Sequence, residues 1–64
     1  MFTEMELKVL ELLIQEYSNA EISDILMIRK DTVNTHITSI YKKMGVSNRV
    51  QATVKYLSML KSAN

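Results

Sequence analysis

The sequence predicts an all-α fold, a four-helix bundle containing a helix-turn-helix. Three observations carry this. The chain has no proline and a single glycine to break helices. Capping signatures recur along it, and its apolar residues recur at three- and four-residue steps.

Each capping signature is a Thr, Ser or Asn followed three positions later by Glu or Gln: Thr3 with Glu6, Ser18 with Glu21, Asn48 with Gln51. The first side chain can accept an orphan backbone N–H, while the second reaches back to the N–H of the cap. Helices follow near 3–15, 18–26 and 48–61. A further helix near 30–44 ends at Gly45, because glycine takes the left-handed conformation beyond a helix terminus at little cost. Its TVNTHITSIY segment is rich in β-branched residues and could suggest a strand. Spacing decides otherwise: Val33, Ile37, Ile40 and Met44 fall at steps of four, three and four. Residues 27–29 join the second helix to the third, a turn short enough for a helix-turn-helix. On geometry alone, an αα-hairpin in a plain bundle competes with it.

Composition excludes several classes. At 64 residues the core is only just sufficient, and such domains usually lean on disulfides, a metal or a partner chain. With no cysteine and one histidine, neither disulfides nor a metal cage is available. No glycine-rich phosphate loop or catalytic constellation is present, so no enzyme and no cofactor is expected. No apolar run approaches the roughly 18 residues of a membrane span, and a soluble, cytoplasmic protein without membrane contact is expected. Association with another chain is then the remaining staple. Charge is unevenly placed: residues 1–28 carry six acids against one lysine (−5), and residues 29–64 carry seven bases against one acid (+6). A basic half suggests a polyanionic partner.

Four segments, FTEMELKVL, SNAEIS, IRKDTVNTH and KMGVSNRVQA, follow one another at spacings similar to those of a known pattern. The chain resembles the LuxR/FixJ-type, or GerE-like, DNA-binding domain of bacterial transcriptional regulators, from Phe2 to about Leu60. TVNTH followed eight residues later by GVSNR is the specific part. Four positions depart from the pattern. Met5 stands where arginine is usual, Lys8 replaces an acid, Glu16 a glycine, and Arg29 the serine that would cap the third helix.

The resemblance implies sequence-specific binding of double-stranded DNA, with the helix near 30–44 in the major groove. On a 100° wheel the apolar stripe of that helix lies within about 60°, opposite a polar arc of Asp31, Thr35, Thr38 and Lys42 edged by Asn34 and Ser39. By the resemblance, Asn34, Thr35 and Thr38 face the bases. Asn34 suits adenine, and the threonine methyls suit thymine. Lys30, Lys42, Lys43 and Arg49 are the candidate phosphate contacts. A polar arc can equally be a solvated face, and His36 and Tyr41 sit on its borders. Helix 4 is more apolar than one small core requires. With the resemblance, this makes Tyr56, Leu57, Met59 and Leu60 a homodimer interface on a two-fold operator. In larger family members a receiver or ligand-binding domain precedes this module. Met1 permits either a standalone regulator or a C-terminal fragment of a response regulator. The alternative is a helical protein-interaction module that does not bind DNA.

Glu6 lies near the middle of the apolar arc of helix 1, with Met5, Val9, Leu12 and Leu13 on one side and Leu7, Leu10 and Ile14 on the other. Either it is only the capping partner of Thr3 at an exposed helix end, or it is a buried carboxylate that needs a cation. Because the family pattern keeps both Glu6 and the arginine matching Arg49, a structural Glu6–Arg49 pair is expected.

Overall fold

At the start of the chain, the Glu6 N–H donates to Thr3 Oγ1 at 3.1 Å and the Thr3 N–H donates to Glu6 Oε1 at 2.9 Å. This closed capping box opens α1 (Glu4–Ile14). The Ser18–Glu21 box opens α2 (Asn19–Leu26) in the same way. There the backbone N–H and hydroxyl of Ser18 hold the Glu21 carboxyl below the usual carboxylate range. In the computed structural model, which describes residues 2–62, α3 (Lys30–Met44) and α4 (Arg49–Ser62) complete an all-α fold. The third box forms only in half. Asn48 Oδ1 accepts from the Gln51 N–H at 2.9 Å, but Gln51 Oε1 accepts from Ser47 rather than from the cap, at 2.8 Å.

Three helices end alike. After α1, α2 and α3 the chain passes through a left-handed residue, Glu16 (φ 71°), Met27 (φ 57°) and Gly45 (φ 70°). The next N–H reaches back five residues: Tyr17 to Leu12, Ile28 to Ser23 and Val46 to Tyr41. These bonds satisfy carbonyls the helix leaves open. Only one of the three positions is glycine, so the other two adopt the conformation against their Cβ. Glu16→Gly should therefore stabilise the domain by about 0.5–1 kcal/mol, the relieved clash exceeding the entropy that glycine loses. A thermal melt checks this, and an unchanged or lower midpoint would refute the strain. Arg29 caps α3 with backbone only; its side chain makes no capping bond and instead reaches Asp31 Oδ2 at 3.4 Å. The missing cap costs about 1 kcal/mol, which the packing of α3 offsets.

That packing is central, since α3 touches each of the other three helices. Val33, Ile37, Ile40 and Met44 meet Val9, Leu10 and Leu13 of α1, Ile22 of α2 and Ala52 of α4 in one core. Burying a Leu, Ile or Val side chain fully contributes roughly 1.5–3 kcal/mol. Helix α4 gives the core little besides Ala52 and half-buried Tyr56, while Val50, Val54, Leu57, Met59 and Leu60 are exposed.

Glu6 is buried, 5% exposed, as its place on the wheel requires. Its cation, however, is not Arg49. Lys43 Nζ stands 2.7 Å from Glu6 Oε1, and Ser39 Oγ donates to Oε2 at 2.6 Å. The Lys43 bond, then those of Ser39 and the Thr3 N–H, outweigh the opposing effect of burial and hold the Glu6 carboxyl down to about 2. Arg49 instead donates from Nη1 to the Tyr17 carbonyl at 2.9 Å and from Nη2 to Asn19 Oδ1 at 3.3 Å. The expected Glu6–Arg49 pair is thus replaced by two separate ties. The physical reason is which helix faces α1: the Ser39–Lys43 flank of α3 lies over Glu6, whereas the start of α4 lies over the α1–α2 turn.

Candidate nucleic-acid interface

Two helices joined across residues 27–29 present the second, α3, with its apolar stripe inward and its polar arc outward. On that outer face Asn34, Thr35, Thr38, Ser39 and Lys42 line one shallow, open depression. All three residues expected to read bases are therefore gathered on one exposed surface. Thr35 Oγ1 and Thr38 Oγ1 each donate to the carbonyl four residues earlier, of Asp31 and Asn34, at 3.0 Å. Donating inward leaves each hydroxyl an acceptor.

The four expected phosphate residues separate into two kinds. Lys30 and Lys42 are exposed at opposite ends of α3, where each can meet a phosphate along a groove. Lys43 is drawn to Glu6 and lies 6.0 Å from the Phe2 ring centroid. Arg49 is half-buried and spends two donors on the α1–α2 turn. Both hold helices together.

Sequence reasoning passed over Asn19. Its Nδ2 donates to Asn34 Oδ1 at 2.6 Å, across fifteen residues, while its Oδ1 accepts from Arg49. The available signal was local: Ser18 already caps α2, so the neighbouring amide is spare for a tertiary contact.

The four residues expected at a dimer contact do not share one face. Leu57 and Leu60 line a hollow with Val54, Ser58 and Lys61. Met59 lies in another with Phe2, Lys43, Met44 and Lys55, and Tyr56 packs on the core. Among the described residues no helix is long and apolar enough to cross a membrane, and no acidic, His or Cys group could hold a metal ion.

The sequence profile described as "Bacterial regulatory proteins, luxR family" matches residues 1–56. The nitrate/nitrite response regulator protein NarP of Escherichia coli (strain K12) is 44% identical over 55 residues, 86% of this chain and 26% of NarP. The transcriptional regulatory protein DegU of Brevibacillus brevis is 42% identical over 53 residues, 83% of this chain and 22% of DegU. The chain thus spans about a quarter of the length of these relatives. Among solved structures, the transcription factor GerE superposes with a TM-score of 0.82 at 38% identity, over 91% of this chain and 87% of that one. The response regulator ChrA of a heme-sensing two-component system gives 0.88 at 34% identity, over 92% of this chain and 29% of that one.

Proposed function

The chain belongs to the luxR family of bacterial regulatory proteins, and on that footing we propose that it binds a specific double-stranded DNA site with α3 in the major groove. The observation that carries this is the single depression shared by Asn34, Thr35, Thr38 and Lys42 on the exposed face of α3. The B-DNA major groove is about 12 Å wide and admits one helix. Small polar side chains let that helix approach the base edges closely, and the lysines at its two ends neutralise phosphates on either side.

Base contacts and phosphate contacts respond differently to deletion. Asn34→Ala and Thr38→Ala should each weaken the preferred site by about 1–3 kcal/mol while sparing random duplex. Lys42→Ala should weaken both alike and reduce the slope of log affinity against log salt by about one. Titration of each variant on both DNAs is the check. If Asn34→Ala and Thr38→Ala leave the preferred site unchanged, α3 is not the reader.

A homodimer on a two-fold operator fits the same reading. The exposed apolar surface of α4 supports it, centred on Leu57 and Leu60 and widened by Val54. The two-fold symmetry of such a pair would match the symmetry of the DNA. A preceding receiver or ligand-binding domain, where one is attached, would act by permitting or blocking that contact.

A further inference from the structure

Asn34 is not free to present either end of its amide. Beginning at the fixed end, Arg49 is anchored by Nη1 on the Tyr17 carbonyl. A guanidinium has five donors and no acceptor. Asn19, bonded to Arg49 Nη2, must therefore turn its oxygen toward α4 and its NH2 toward α3. An NH2 only donates, so Asn34 must in turn give its oxygen to Asn19, at 2.6 Å. The direction of this relay is set by chemistry: reversing either amide would put donor against donor. The end of Asn34 left for a base is Nδ2.

We propose that Asn19 is a specificity-determining residue that works through Asn34, fixing its amide as a hydrogen-bond donor toward the groove. The proposal rests on the reading of α3 given above and sharpens it. An unconstrained asparagine suits adenine, giving Oδ1 to the N6 amino group and Nδ2 to N7. With Oδ1 held on α2, the favoured base is one that shows acceptors. Guanine shows two in the major groove, O6 and N7, and thymine shows O4, whereas adenine shows N7 beside an N6 donor that no longer finds its partner. Cytosine, which shows only its N4 amino donor there, is the worst match. Asn19 itself touches no base in this scheme. It is a positioning residue, and overall affinity is a poor measure of it.

Base preference at one position is the right measure. Sites selected from random duplexes are compared for the unaltered chain, Asn34→Ala, Asn19→Asp and Asn19→Ala. The position whose preference disappears in Asn34→Ala is the one Asn34 reads, and in the unaltered chain it should favour guanine or thymine. In Asn19→Asp the new carboxylate still accepts from Arg49 but can no longer donate. Asn34 must then turn its NH2 to α2 and its oxygen to the base. The preference at that position should pass to cytosine or adenine, a change of roughly tenfold in relative affinity, with the other positions unaltered. The added negative charge should weaken all sites together, which leaves relative preferences intact. Asn19→Ala releases the amide and should shift the position toward adenine; it also tests the relay should the Asp variant fold poorly. The same preference in the unaltered chain and in both Asn19 variants would reduce Asn19 to a structural residue. A cytosine preference in the unaltered chain would overturn the relay as well. If Asn34→Ala erases no preference anywhere, the base-reading role of Asn34 fails first and takes this proposal with it.

Discussion

Leu57→Asp should lower affinity for a two-fold DNA site by about 10²–10⁴ while leaving the domain folded and its affinity for a half-site nearly unchanged. Leu57 is 51% exposed, and it lines one hollow with Val54 (64% exposed) and Leu60 (48% exposed). A carboxylate on such a surface costs the monomer little. In a two-fold contact the same patch meets itself, so the new charge would face its own copy in a desolvated interface. Two half-site contacts then act separately rather than as one bivalent encounter, and the loss is in the linkage. Tyr56→Asp is the contrasting variant. That ring packs against the core, and its replacement should unfold the chain rather than separate two folded copies. Sedimentation at high concentration, with titration on whole and half sites, tests the assignment. Equal binding of the two-fold site by Leu57→Asp and the unaltered chain would remove this face of α4 as the dimer contact.

Why α4 was legible only in part follows from how its residues are used. Its surplus of apolar side chains is visible in the sequence, but the division of Leu57 and Leu60 from Met59 depends on where the start of α1 lies. Phe2 from that start lines the second hollow. Helix α3, by contrast, was fully legible from 30 to 44, because its stripe and Gly45 are both local signals. The left-handed terminus at Met27 was not, since no glycine marks it; that at Glu16 was signalled only by the glycine that the family pattern has there. The exposed polar face of α3 was legible because a family pattern and a helical wheel converge on Asn34, Thr35 and Thr38, which line one open depression. The amide relay behind Asn34 was not, since it joins residues fifteen and thirty positions apart. Burial of Glu6 was correctly inferred from the wheel, and so was its need for a cation. The partner was missed because two residues kept by a family need not touch each other. Ser39 and Lys43 stand one turn apart on the flank of the α3 stripe, and that spacing was the usable clue.

Glu6→Ala should lower the melting temperature by roughly 10 °C or more, in proportion to what breaking a buried ion pair costs a small domain. The carboxylate accepts three hydrogen bonds at once, from the Thr3 N–H, Ser39 and Lys43. Its loss opens the α1 cap and leaves an ammonium and a hydroxyl against the cavity. Glu6→Gln should cost less, because an amide oxygen still serves Thr3 or Ser39 although it cannot neutralise Lys43. The pairing itself is tested by two cycles. Glu6→Gln with Lys43→Met should be strongly non-additive, whereas Glu6→Gln with Arg49→Met should be additive. The reverse pattern would restore the Glu6–Arg49 pair. Acid gives an independent reading of the same cluster. In the folded chain the Glu6 carboxyl is lowered from its ordinary 4.5 to about 2, chiefly by the Lys43 bond. The unfolded chain therefore binds a proton there first as pH falls. The stabilisation from Glu6 is fully present above about pH 4.5 and drains away as pH drops toward 2. Melting curves through that window should slope steeply for the unaltered chain and more gently for Glu6→Gln, which has no proton to take up. Parallel slopes would mean that other carboxylates carry the acid sensitivity and that Glu6 titrates alike in both states.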